Sequence, residues 1–188
     1  MYVNHHQKLI FLAHPRTASR AVAKALNIWS GFHPVGPHHA GPGGLYEDYR
    51  CFTTVRNHWD ALASWWWNAN GQSPEAVKGK ISSAWLLRWW SKNKNYFHLD
   101  PEKGVVTKPR LWWFLDSFPP PAILHYETLV DDFHAFLGAY KMSPTRIPVV
   151  GLNKFRAGRH YQEVFTPEAA ELVQRTFASE IEELGYRY

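Results

Sequence analysis

Sulfur is scarce in this chain: 188 residues carry one cysteine, Cys51, and two methionines. A single thiol excludes an intramolecular disulfide, and it fits a reducing compartment. No apolar run is long enough to span a bilayer, and the first residues lack a signal-peptide pattern, so the expectation is a soluble, cytoplasmic protein with no membrane partner. No low-complexity linker and no long run of one charge interrupts the chain. Charged residues are only 20% of the total against 45% hydrophobic, which excludes a disordered tail-like chain and predicts a globular one. The length suits a single domain spanning 1–188. The net charge of +5 favours an anionic ligand, without choosing between nucleotide, nucleic acid and acidic glycan. What the chain has in excess is aromatic: ten tryptophans, many of them adjacent.

Residues 8–29, KLIFLAHPRTASRAVAKALNIW, carry the strongest local signal. Leu9 to Ala13 form a short apolar run of the kind expected in a strand covered on both faces. His14, Pro15, Arg16 and Thr17 break it. Ala21, Val22, Ala25, Leu26 and Trp29 then recur at helical spacing. A strand feeding a turn that opens a helix is an anion site by construction: the first N–H groups of the helix have no internal partner, and its dipole favours negative charge there. Arg16, Thr17, Ser19 and Arg20 add two cations and two hydroxyls, so the turn reads as a phosphate or sulfate cradle. The plainer alternative is a connection with Thr17 as N-cap and two solvated arginines. The nucleotide triphosphatase loop GxxxxGK[ST] is absent, because the turn has neither its glycines nor its lysine.

The plan recurs at 50–67. An apolar strand over about Cys51–Val55 ends at Arg56, Asn57 or His58 marks a turn, and a helix follows with Leu62, Trp65, Trp66 and Ala69 on one face. Residues 31–44, rich in Gly and Pro, predict a loop holding His33, His38 and His39. Residues 81–92 predict a helix with Ile81, Trp85 and Trp89 on one face, and these tryptophans together with Trp65 are expected in the core. Two short β-like pieces lie within 93–110, and a short helix is expected at 110–117. Residues 122–126 form a third strand, and the helix after it places Leu129, Phe133, Phe136, Leu137 and Tyr140 in register. A basic cluster lies in the loop 143–162. Thr166, Pro167 and Glu168 start one long final helix through Ala170, Val173, Phe177, Ile181 and Leu184. Alternating strands and helices predict an α/β fold with a central parallel sheet, whose ligands sit outside the carboxyl ends of the strands.

Four pieces, HPRTASRAV at 14–22, FTTVRNHWDALASWW at 52–66, ILHYETLVDDFHAFL at 123–137 and the stretch 153–186, resemble in content and order the sulfotransferase superfamily. These enzymes move a sulfuryl group from 3′-phosphoadenosine 5′-phosphosulfate (PAPS) to a hydroxyl or amine, leaving PAP. The resemblance covers most of the chain except about 70–120, the variable acceptor-side segment. It departs from the family pattern at His58, Ala61 and Arg20. It implies a three-layer, P-loop NTPase-like sulfotransferase fold.

It also implies roles for particular residues. Arg16 falls at the catalytic cation, with Thr17, Ala18, Ser19 and Arg20 on the 5′-phosphosulfate. Arg56 and Ser64 fall on the 3′-phosphate, and Arg156 with Gly158 in the element that closes over it. His39, with His38 second and His33 also a candidate, is placed to act as the base. No metal is expected. The partner implied is a small-molecule or carbohydrate acceptor, with some tryptophans lining its pocket and no nucleic acid. A kinase-like phosphotransferase would need a P-loop lysine. A non-catalytic glycan- or nucleotide-binding module of the same fold is the alternative.

Overall fold

The computed structural model describes residues 1–36, 46, 48–70, 79–93, 98–100, 105–108, 121–150 and 159–188. Contacts divide the chain into two compact units. Met1–Arg56 and Phe114–Leu152 form one, and Asn57–Trp113 and Asn153–Tyr188 form the other. No helix among the described residues is long and apolar enough to cross a membrane.

The first unit is built on a five-stranded sheet in the order β3-β1-β2-β4-β7, with β1 Tyr2–Asn4, β2 Leu9–Leu12, β3 His33–Pro34, β4 Arg50–Val55 and β7 Ala122–His125. β2, β4 and β7 run parallel, in a register that pairs Phe11 with Phe52 and Thr53 with Ile123. The expected parallel centre is therefore present. The sheet as a whole is mixed, because β1 and β3 extend it antiparallel. Every residue of β2 is buried, as its unbroken apolar run requires of an interior strand.

Helix α1, Ser19–Trp29, follows β2. Helix α4, Leu129–Ala139, follows β7 through a 3-10 turn at Tyr126–Thr128. Val22, Ala25 and Leu26 of α1 and Leu129, Phe133, Phe136 and Leu137 of α4 join Leu9, Phe11 and Phe52 in one buried cluster. Phe52 is its hub, with ring centroids 5.1 Å from Phe11, 5.9 Å from Phe32 and 4.2 Å from Phe136. Parallel strands fed directly into helices have their carboxyl ends at one edge, and that edge presents residues 13–19 and 56.

The second unit is mainly helical. It holds α2 His58–Asn70, α3 Ser83–Lys92, α5 Pro167–Thr176 and α6 Ala178–Glu183. It also holds the antiparallel pair β5 His98–Asp100 and β6 Val105–Lys108, matching the two β-like pieces read at 93–110. Three expectations change here. α2 is buried on every side from His58 to Ser64, and beyond it Trp66 and Trp67 are buried while Ala69 is exposed, so the one-face assignment fails. Ile81 lies outside α3, in a bridge to Phe165, and the buried face of α3 is Leu86 and Trp90; Trp85 and Trp89 stay half-buried. The long final helix is two helices separated at Phe177, although Ala170, Val173, Phe177, Ile181 and Leu184 are all buried as their spacing predicts.

Candidate functional site

In the first unit, the turn between β2 and α1 takes an uncommon backbone path. Arg16 has φ +67° and Ala18 has φ +60°, while Thr17 between them stays at negative φ. Left-handed conformations at residues with a Cβ cost of order 1 kcal/mol each and persist only where surrounding structure enforces them. Alternating the hand of successive residues turns their N–H groups into one concavity, a backbone nest for anions. The nest opens at the start of α1, whose N-cap residue, Ala18, contributes no side-chain hydrogen bond. Thr17 is therefore not the N-cap.

Thr17 acts instead as the clasp of the turn. Fully buried, its hydroxyl donates to the carbonyl of His14 at 2.9 Å and lies 2.6 Å from the hydroxyl of Thr54 on β4. One hydroxyl has one proton, so Thr54 is the donor of the second bond. The hydroxyl expected on a phosphosulfate is thus committed inside the unit. One step back along the strands, the Thr53 hydroxyl donates to the Leu12 carbonyl at 2.7 Å, fixing the same two strand ends together.

Three guanidinium groups converge on this turn. Burial first, then the charges of Arg20 and Arg56, hold the pKa of Arg16 below its ordinary value. The group remains a cation, so the shift reflects its burial first and its like-charged neighbours second, not any proton exchange. Arg56 is itself buried. Its Nη1 donates to the main-chain oxygen of Arg16 at 2.9 Å, and its plane lies over the ring of Tyr126, 4.0 Å from the centroid. Ser19 is buried at the first position of α1, and Arg20 is exposed. Arg16, Thr17, Ala18, Ser19, Arg20 and Arg56 are therefore gathered at one edge of one unit. Tyr126 and Thr54 join the site without a signal in the sequence beyond position, Tyr126 directly following the third parallel strand as Arg56 follows the second.

In the second unit, Asn57 caps α2. Its Oδ1 accepts from the N–H groups of Trp59 and Asp60 at 3.1 and 3.3 Å, and its Nδ2 donates to the carbonyl of Arg187 at 2.9 Å. At the next residue, His58 Nε2 lies 2.8 Å from a carboxylate oxygen of Glu180, with both side chains almost wholly buried. This pair ties the first turn of α2 to α6. Ser64 is buried in the second turn of α2.

Of the three candidate bases, His33 lies among the described residues. It sits on β3 opposite Val3, and it lines a cavity of about 470 Å³ with Asn4, His5, His6 and Lys141 at the β1–β2 turn. The β1–β2 turn lies at the amino end of β2, whereas Arg16 follows its carboxyl end. His38, His39, Arg156 and Gly158 lie outside the described residues, as do Trp112 and Trp113. Among the described residues no group of three or more metal-ligating side chains is assembled. Compared with protein-family models and with curated proteins, the chain matches none.

Proposed function

We propose that this chain is a PAPS-dependent sulfotransferase of the P-loop-like sulfotransferase fold, transferring a sulfuryl group to a hydroxyl or amine acceptor. The observation that carries the reading is that Arg16 and Arg56 follow the carboxyl ends of two adjacent parallel strands, with Arg56 Nη1 donating to the main-chain oxygen of Arg16 at 2.9 Å and Arg20 on the first turn of the helix that opens there. A doubly anionic nucleotide is the kind of ligand that such a centre suits, because phosphate and sulfate groups match guanidinium geometry and a backbone nest together. The nucleotide would supply the activated sulfuryl group.

The chain's own residues would do the rest. The nest at 16–19 and the Arg20 guanidinium would bind the 5′ end, and Arg56 and Ser64 the 3′-phosphate. Arg16 would meet the charge that develops on the departing phosphate oxygen. Its role is electrostatic, since it has no proton to give. Holding donor and acceptor in line is the other contribution asked of the protein, as in phosphoryl transfer. His39, or His38, would take the acceptor's proton. Arg156 and Gly158 would close over the 3′ end. The single cysteine favours a reducing, cytoplasmic location.

The test is thermal stabilisation by PAP, followed by transfer of labelled sulfate from PAPS to a panel of glycans, phenols and alcohols. PAP is expected to raise the melting temperature of the wild type, with the shift abolished in Arg16→Ala and Arg56→Ala. Absence of any shift with PAP or PAPS overturns the reading. Stabilisation by PAP without transfer to any acceptor leaves a nucleotide-binding module and overturns the enzyme.

A further inference from the structure

The cavity of about 470 Å³ that His33 lines lies wholly in the first unit, where the β1–β2 turn meets the carboxyl ends of α1 and α4. Asn4, a buried residue, fixes its frame. Nδ2 donates to the Ser30 carbonyl just beyond α1 at 2.8 Å, and Oδ1 accepts from the N–H of Gln7 at 2.9 Å. Both helices end in left-handed turns beside it. Gly31 has φ +66°, and the N–H of Phe32 reaches back to the Leu26 carbonyl. Lys141 has φ +55°, and the N–H of Met142 reaches back to the Leu137 carbonyl. Such closures satisfy the last carbonyls of a helix and fix where its chain leaves.

Four basic side chains line the cavity from three segments: His5 and His6 from the β1–β2 turn, His33 from β3, and Lys141 from the turn after α4. All four are exposed. None of the described residues lining it is acidic. Helix carboxyl ends favour cations, which accounts for one lysine. It does not account for three histidines delivered by a turn and an edge strand. A metal ion would, but among the described residues no three ligating side chains are assembled to hold one. We propose that this cavity binds a small anion carrying two or more carboxylate or phosphate groups, held by His5, His6, His33 and Lys141.

Basic groups spread over three segments match several anionic groups on one ligand, and the volume is that of a small-molecule site. The dipoles of α1 and α4 oppose an anion while the imidazoles are neutral. Imidazoles charge between about pH 8 and 5, and each then carries two N–H donors. Filling of the cavity is thereby coupled to protonation. Tyr49 suits both states of His5, whose Nδ1 lies 2.9 Å from its hydroxyl. The hydroxyl donates to the neutral ring and accepts from the imidazolium, so Nε2 carries a proton in each. Other titratable groups on the surrounding segments are engaged or turned away. Lys8 and Asp48 pair with each other, Tyr46 and Tyr49 pack on His5, Tyr2 packs on Phe11, and Tyr140 packs on Phe136. The amino group of Met1 lies at the opposite end of β1 from His5. The proposal does not depend on the sulfotransferase reading, which the response to PAP decides.

The experiment is calorimetric titration of the full chain with citrate and with pyrophosphate at about pH 6 and about pH 8, with acetate and spermidine as controls. The two polyanions distinguish carboxylate from phosphate as the preferred group. Both lose charge at the lower pH, so tighter binding there must come from the protein. At least one is expected to bind about tenfold more tightly at the lower pH, and neither control should bind. This binding should persist in Arg16→Ala, which separates it from anions held by the turn between β2 and α1. His33→Gln combined with Lys141→Gln should weaken it about tenfold and flatten its pH dependence. In the wild type, the same titration should move the imidazole resonances of His5, His6 and His33, a readout that needs no variant. Polyanion binding that is lost in Arg16→Ala without moving those resonances, or that survives the double substitution unchanged, overturns the proposal. So does affinity that is constant or rises towards pH 8, the direction expected of a bound cation, and so does an absence of binding at pH 6.

Discussion

Arg56 donates from Nη1 to the main-chain oxygen of Arg16 at 2.9 Å, so one cation of the candidate site holds the backbone of another. The bond crosses from the end of β4 to the end of β2 and helps to keep Arg16 at φ +67°. Arg56 thus supports the shape of the turn as well as adding charge to it. Substitution by lysine separates the two contributions. A lysine ammonium keeps the charge but cannot both reach this carbonyl and lie flat over Tyr126. Arg56→Lys should lower stability by about 2 kcal/mol, the scale of a lost charged hydrogen bond, read from denaturant midpoints. It should reduce, without abolishing, the stabilisation by PAP.

The left-handed conformation of Ala18 makes a second prediction with the opposite sign. Glycine occupies this region without the Cβ conflict, but it loses more freedom on folding. Ala18→Gly should therefore leave stability unchanged or raise it by up to about 1 kcal/mol. A clear loss in urea denaturation would show that the alanine methyl is needed for packing, since Ala18 adjoins the buried cluster of the first unit.

The buried contact between His58 and Glu180 should be costly to break from one side. Glu180→Ala leaves an imidazole enclosed by Phe177 and Tyr186 without its carboxylate. The expected loss is about 1–3 kcal/mol. Glu180→Gln retains a hydrogen-bonding group of the same shape and should lose less. Equal losses in the two variants would mean that packing, and not the hydrogen bond, holds α6 to the first turn of α2.

Cys51 gives the pH dependence. Burial pushes its thiol up to about 11 from an ordinary value of 9.0. The folded protein thus holds this proton more tightly than the unfolded chain does. The resulting contribution to stability is fully present below about pH 9 and is lost as pH rises through about 11. Denaturation midpoints should fall over that window more steeply for the wild type than for Cys51→Ala, a comparison that cancels other titrating groups. The native thiol should also react slowly with a disulfide reagent at about pH 8, because the thiolate is the nucleophile.

Much of the first unit is legible from residues alone. Leu9 to Leu12 are apolar without a break and are buried without a break. Leu129, Phe133, Phe136 and Leu137 are spaced for one helix face and lie on it. Strands β1 and β3 are not legible, because segments of three and two residues are too short to show a period. The faces of α2 mislead for the opposite reason: when a helix is enclosed on all sides, apolar spacing no longer marks a direction. At the candidate site the cations are visible as letters, but their convergence is not. Nor does an Arg-Thr-Ala sequence announce left-handed residues, a conformation usually signalled by glycine. The role of Tyr126 as a shelf for Arg56 depends on the parallel pairing of β4 with β7, which joins residues 70 positions apart.

The interleaving of the two units bears on how the chain is made. The hub at Phe52 needs Phe136, and α2 needs Glu180 and the carbonyl of Arg187. During synthesis from the amino end, β2, α1 and β4 leave the ribosome long before α4 can cover them. Their apolar faces wait through more than seventy further residues, and the cap of α2 waits until Arg187 has been added. Slow, late-closing contacts of this kind lengthen the exposure of apolar surface. Newly made chains should therefore lean on chaperones until residues 180–187 have emerged, and interruption anywhere before residue 180 should release a product that completes neither α6 nor its hold on His58.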